Sequence, residues 1–242
     1  MSGATRAGEP HVGIFGGTFN PIHLGHLRAA EEVVEALSLE RMLFIPAAIP
    51  PHKCPKADVI APADSRLRWV REAVRGNPRF EVDPLELERS GPSYSVETLR
   101  TIGARIAPEK PVFALGWDAF VDVGSWREPR ALFRLAHFAV TTRPPDAKGS
   151  LADGLPECVR GDFVLAADGR SGRHREADSW IRLLEISALD ISATAIRARI
   201  RRGRSVRYLV PESVREEILT SESYTAPDRS NEPSVRTAEL SQ

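Results

Sequence analysis

Two histidines three residues apart, His23 and His26, stand just after the turn Gly16-Gly17-Thr18-Phe19-Asn20-Pro21 and at the start of a helical pattern. Glycines let backbone N–H groups approach an anion, and a helix N-terminus adds a favourable dipole. The spacing puts both imidazoles on one side of the first turn, where each can donate a hydrogen bond to a phosphate oxygen. A Walker loop would end in Gly-Lys-Ser/Thr and a dinucleotide fingerprint would carry a third spaced glycine; this segment has neither. A Gly-Gly turn before an ordinary amphipathic helix is the plain alternative. Against it, strand, turn, Asn-Pro and paired histidines fall in one register.

A second phosphate seat is written near the other end of the chain, in Ile191-Ser192-Ala193-Thr194-Ala195-Ile196-Arg197. Ser192 as N-cap leaves the following N–H groups to meet phosphates. Thr194 adds a hydroxyl, and Arg197 a guanidinium fork three residues on, facing the same way. Between the two seats, Ile45-Pro46-Ala47-Ala48-Ile49-Pro50-Pro51-His52-Lys53 is a proline-stiffened loop presenting His52 and Lys53, the latter a mobile charge suited to a polyphosphate. A solvated surface loop is the bland reading. In Ser90-Gly91-Pro92-Ser93-Tyr94-Ser95, Gly-Pro makes a turn and Ser93 or Ser95 can cap the helix that follows, whose N-terminus can receive a carboxylate. A serine-capped helix and nothing more is the alternative. Leu115-Gly116-Trp117-Asp118 and Thr141-Thr142-Arg143-Pro144 both leave strand candidates.

The elements that must position these residues read as an α/β alternation. Apolar runs at 12–15, 41–45, 80–82, 111–115, 137–141, 163–166 and 183–186 predict strands, several continuous enough for a sheet covered on both faces. Helical patterns fall at 24–37, 65–75, 95–106 and 128–135, with two last helices at 192–202 and 211–219. Such alternation predicts a doubly wound parallel sheet, with ligands beyond the carboxyl ends of its strands. Residues 146–156 and 168–177 read as loops. One domain over 11–220 is expected, with a flexible 1–10 and a disordered 221–242, polar and poor in large apolar residues.

The motif Gly16-Gly17-Thr18-Phe19-Asn20-Pro21-Ile22-His23-Leu24-Gly25-His26, joined by Ile191-Ser192-Ala193-Thr194-Ala195-Ile196-Arg197, resembles the paired signatures of the nucleotidyltransferases that share a fold with class I aminoacyl-tRNA synthetases. The Pro-Pro-His-Lys loop, Pro92-Ser93-Tyr94-Ser95 and Ser125-Trp126 are similar to stretches of the nicotinate-nucleotide adenylyltransferases. The resemblance spans about residues 11–219 and implies a Rossmann-like sheet with small C-terminal helices. It also implies adenylyl transfer from ATP to nicotinate mononucleotide. Gly16, Gly17, Thr18, Phe19, His23, His26, Gly116, Asp118, Ile191, Ser192, Thr194 and Arg197 would bind ATP, with Asp118 on the ribose. His52, Lys53, Tyr94, Ser95, Trp126 and Arg143 would bind the acceptor, with Trp126 stacked on the pyridine ring; a core tryptophan is the better reading for Trp117. His23, His26, Lys53 and Arg197 would stabilise the transition state and the leaving pyrophosphate. Ala47 and Ala48 stand where some relatives carry polar residues. Mg²⁺ would ride on the ATP phosphates, with no metal-ligating set in the protein. Three alternatives stay open: nicotinamide mononucleotide as a second acceptor, pantetheine phosphate as the acceptor, and a non-catalytic nucleotide sensor.

Composition sets the remaining bounds. Lys+Arg and Asp+Glu are 33 each, so no global field draws nucleic acid or a membrane surface. Met1 to Pro10 lack the apolar core of a signal peptide, and no run reaches the ~18 apolar residues of a membrane span. Cys54 and Cys158 have no metal-site spacing and suit a reducing cytoplasm. Small molecules are therefore the expected partners, with a homo-oligomer left open.

Overall fold

The computed structural model describes residues 11–50, 60–142, 150–187, 189–221 and 223–224. Eight strands form one sheet in the order β3-β2-β1-β4-β5-β8-β7-β6. They are β1 (Val12–Gly17), β2 (Arg41–Pro46), β3 (Phe80–Val82), β4 (Val112–Gly116), β5 (His137–Thr142), β6 (Phe163–Leu165), β7 (Ser171–His174) and β8 (Trp180–Glu185). The six strands from β3 to β8 across the sheet are parallel, as the sequence predicts. β6 and β7 pair antiparallel at the edge.

Alternate residues of the central strands face two separate cores. Phe15, Met42, Phe44, Ala114 and Ala139 pack under α1 (Leu24–Leu37), α2 (Ala63–Val74), α9 (Ala193–Arg201) and α10 (Glu212–Thr220). Ile14, Leu43, Phe113, Leu115, Phe138 and Val140 pack under α4 (Ser95–Ile106), α5 (Trp117–Asp122) and α6 (Pro129–Leu135). Strands buried on both faces explain the unbroken apolar runs. The order reverses between β1 and β4, so the carboxyl ends of these two neighbours frame the crevice where doubly wound sheets bind ligands.

Four expectations are corrected. Residues 168–177 hold β7, and 146–156 overlap the one-turn helix α7 (Leu151–Gly154) rather than forming a plain loop, with α8 (Glu157–Arg160) directly after it. The last parallel strand starts at Trp180, three residues earlier than the apolar run suggests. The fourth concerns the tail. Tyr224 is buried, packs at 5.7 Å from Trp69, and donates its hydroxyl to Asn20 Oδ1. The chain is therefore still docked past Ser221; 1–10 and 225–242 lie outside the described residues.

His137, at the start of β5, makes part of this fold sensitive to acid. Its Nδ1 accepts from Trp180 N at 3.2 Å and its ring stacks on Trp180 at 4.6 Å. Burial, helped by the charge of Lys110, pushes its pKa down to about 4 from 6.5. Between those values the unfolded chain binds a proton that the native state refuses, so this contribution is whole above pH 7 and is lost as pH falls. We expect urea stability to drop by ~2 kcal/mol on this account between pH 7 and pH 5. His137→Asn, which keeps an acceptor for Trp180 N, flattens that slope in urea melts at the two pH values; an unchanged slope refutes the assignment.

Candidate active site

β1 ends in Gly16 and Gly17, and the chain turns through Thr18, a buried Phe19 at φ +46° and a cis Asn20–Pro21 bond into α1. His23 is the N-cap of α1 and His26 its third residue. The two imidazoles stack with centroids 3.6 Å apart. His23 N donates to His26 Nδ1 at 3.2 Å, so the neutral His26 ring carries its proton on Nε2 and is left a donor at that atom. Phe15 and Phe19 hold the same ring edge-on, at 6.2 and 5.3 Å. His26 is partly exposed, whereas His23 is buried. A Cβ on Gly25 would stand 3.1 Å from His23 Nδ1, so this glycine is what lets the His23 ring lie against the helix.

The two signatures meet in space. Arg197 Nη1 donates to Asn20 O at 2.9 Å, and Ile191 O lies 3.6 Å from the Cβ position of Gly25. Ser192 caps α9 by accepting from Ala195 N at 3.2 Å. Arg197 Nη2 donates to Thr194 Oγ1 at 3.3 Å. Arg197 is only 3% exposed, and its fork holds the main chain of the glycine-rich turn at Asn20 together with the Thr194 hydroxyl of α9. Leu24 N donates to Leu209 O, which commits the first N–H of α1 to the protein itself. Across the crevice, Gly116 caps α5 and the exposed Asp118 sits in its first turn.

Three of the expected acceptor residues, Tyr94, Ser95 and Trp126, line one hollow. Ser93, Tyr94, Ser95, Val96, Trp126, Arg127 and Leu132 line a cavity of about 80 Å³. Trp126 is half-buried, edge-on to Phe113 at 6.3 Å. Arg127, which the sequence did not single out, lies with its Cζ 4.8 Å over the Tyr94 ring and brings positive charge to the rim. Trp117 packs instead on Gly154, where a Cβ would be 2.4 Å from its ring, as a core residue does. The cap of α4 differs from expectation: Tyr94 occupies that position without a side-chain bond. Ser93 turns inward and accepts from Ala48 N at 2.9 Å and Ile49 N at 3.4 Å.

Residues 14–199 match the cytidylyltransferase-like family. A "probable nicotinate-nucleotide adenylyltransferase" of Geobacter metallireducens is 43% identical over 214 residues, covering 88% of this chain and 98% of that one. The chain belongs to the nicotinate-nucleotide adenylyltransferase family. A relative of the same name from Chromohalobacter salexigens is 40% identical over 91% of this chain and 99% of its own. The fold is shared with the Plasmodium falciparum nicotinic acid mononucleotide adenylyltransferase complexed with NaAD, at a TM-score of 0.65 and 15% identity, covering 89% of this chain and 97% of that one.

Three residues that the resemblance assigns to this family's site, His52, Lys53 and Arg143, lie outside the described residues. Among the described residues no three His, Cys, Asp or Glu side chains come together as a metal site. Among the same residues no helix is long and apolar enough to cross a membrane. The most consequential residue that sequence reasoning passed over is Arg66 of α2, which is 1% exposed beneath the crevice. An arginine inside an amphipathic helix carries no signal of burial.

Proposed function

We infer that the protein transfers the adenylyl group of ATP to nicotinate mononucleotide, giving nicotinate adenine dinucleotide and pyrophosphate on the way to NAD. The observation that carries this reading is the near full-length likeness to relatives of that name. The closure of both signatures by the Arg197–Asn20 bond fits it.

The reaction needs no protein nucleophile. An ionised oxygen of the acceptor's 5′-phosphate attacks the α-phosphorus of ATP; the new P–O bond forms as the bond to the bridging oxygen breaks, and pyrophosphate leaves with that electron pair. The protein supplies position and charge. His26 donates from Nε2 to the α-phosphate or bridging oxygen as negative charge grows there, with His23 behind it. Gly16, Gly17, Thr18 and Phe19 seat the phosphates on one side; Ile191, Ser192 and Thr194 seat them on the other through the first turn of α9. Arg197 adds its charge at the turn, and Lys53 offsets the departing pyrophosphate. Asp118 accepts from an ATP ribose hydroxyl beside Gly116. Mg²⁺ enters as part of the substrate, on the ATP phosphates.

Tyr94, Ser95 and Trp126 hold the pyridine ring, with the N-terminus of α4 and Arg127 favouring a carboxylate over an amide. His52 and Arg143 complete the acceptor side. Incubation with ATP-Mg²⁺ and nicotinate mononucleotide is expected to yield pyrophosphate and nicotinate adenine dinucleotide in equal amounts; no product refutes the reading. Trp126→Ala raises the KM for the mononucleotide about tenfold and leaves that for ATP nearly unchanged, since a ring stack is worth ~1 kcal/mol beyond its buried area. Equal effects on both constants contradict ring stacking.

A further inference from the structure

The guanidinium of Arg66 is buried against main-chain carbonyls from three separate segments. Nε donates to Ala61 O at 2.9 Å, Nη1 to both Thr18 O and Ala47 O at 2.7 Å, and Nη2 to Ala48 O at 3.1 Å. A cation taken out of water is costly unless its donors are met, and carbonyl dipoles meet them here. Burial draws its pKa down, yet arginine stays charged.

The acceptors at Thr18, Ala47 and Ala48 lie in two different loops, beyond the carboxyl ends of the neighbouring parallel strands β1 and β2. Thr18 lies in the glycine-rich turn next to the paired histidines. Ala47 and Ala48 follow β2, and the loop they open is tied to Ser93, which lines the hollow with Tyr94, Ser95 and Trp126. In a trans peptide the C=O and the next N–H point in opposite directions. Arg66 holds the carbonyls of Ala47 and Ala48, and the N–H groups of those same two peptides, from Ala48 and Ile49, go to Ser93 Oγ. Ser93 N also donates to Ile49 O at 2.9 Å. Both peptides are thus pinned at both ends. With its carbonyl on Arg66, the Thr18–Phe19 peptide has its N–H aimed away from the guanidinium.

We propose that Arg66 is a positioning residue for adenylyl transfer: its rigid fork holds the ATP-side turn and the acceptor-side loop at one spacing, and this spacing sets the attack distance once both substrates are bound. The proposal rests on the function inferred above. A lysine keeps the charge but cannot span four carbonyls. A small misplacement of reacting atoms can cost about 10²-fold in rate.

The test uses the full chain, with wild type, Arg66→Lys and Ser93→Ala assayed at 15 °C after thermal melts establish the folded fraction. Wild type is assayed first with ATP-Mg²⁺ and nicotinate mononucleotide; an inactive wild type sinks the inferred function and not this residue's part in it. In Arg66→Lys, we expect kcat to fall at least ~30-fold. The non-reacting α,β-methylene analogue of ATP and the mononucleotide, each titrated alone, should bind within about fivefold of wild type, because neither touches Arg66. A kcat within about threefold of wild type, or a loss explained by weaker binding or by the unfolded fraction, overturns the proposal. Should Arg66→Lys not fold, Ser93→Ala decides. It frees the other edge of the same loop, so kcat should fall about five- to tenfold with ATP-analogue binding unchanged; an unaltered kcat is the contrary result.

Discussion

Replacing His26 by alanine lowers kcat by about 10²–10³-fold, the cost of deleting one donor aimed at developing charge, while the fold survives. The imidazole is a donor at Nε2 because His23 N occupies Nδ1, and its plane is fixed by Phe15 and Phe19. The inferred mechanism requires a donor held in place before the bridging oxygen takes up charge, so the loss is expected to fall on kcat. The stability cost is smaller: an edge-on ring contact is removed and the His23 N–H loses an acceptor, together ~1–2 kcal/mol. Steady-state rates at saturating concentrations of both substrates, beside a thermal melt, check both statements. Wild-type turnover in His26→Ala removes this residue from the chemistry.

Asn20→Ala has the largest expected effect on the fold itself. The side chain is 3% exposed, and its Oδ1 accepts from Ala61 N at 3.0 Å and from the Tyr224 hydroxyl. Burial pushes the Tyr224 phenol up from its usual pKa, so it remains a neutral donor throughout the working range. Alanine leaves a buried N–H and a buried O–H without their acceptor, at ~1–3 kcal/mol each, and adds a small cavity. A loss of about 3–4 kcal/mol is expected, lowering Tm by roughly 6–15 °C in a chain of this size. Tyr224→Phe removes one of the two bonds and costs about 1 kcal/mol. The double variant should be about 1–3 kcal/mol more stable than Asn20→Ala, because phenylalanine removes the buried hydroxyl that alanine leaves without an acceptor. Additive losses contradict the shared acceptor.

The parallel half of the fold was legible because each strand buried on both faces is a continuous apolar run, and α1 and α4 show their helical period cleanly. β7 was not. Ser171–His174 carries no large apolar side chain; it is a strand because Gly172 lets the Leu165 side chain press on its backbone and because His174 Nδ1 accepts from Glu176 N and Ala177 N. Tyr224 was lost in a polar stretch whose one docked ring finds its partners in Asn20 and Trp69, about two hundred and one hundred and fifty residues away.

For the site, the motifs gave the residues but not which way they face. Ser93 reads as a helix cap, and in the fold its hydroxyl serves the loop after β2. Arg197 reads as a phosphate fork, and the fold adds a second task, its bonds to Asn20 O and Thr194 Oγ1 that tie the turn carrying the histidines to α9. Arg66 could not be read at all: its burial depends on carbonyls at Thr18, Ala47, Ala48 and Ala61, which only the tertiary structure brings together. Side-chain type and spacing report local geometry, whereas these three roles belong to contacts between distant segments.

The most direct measurement is pyrophosphate release with ATP-Mg²⁺, comparing nicotinate mononucleotide and nicotinamide mononucleotide as acceptors at equal concentration. Capture of a carboxylate by the start of α4 and Arg127 predicts kcat/KM at least about 10²-fold higher for the acid, as expected when a charged hydrogen-bonding group is exchanged for a neutral one. Equal rates with the two acceptors would contradict that placement of the pyridine ring, and release with neither would contradict the adenylyl transfer itself.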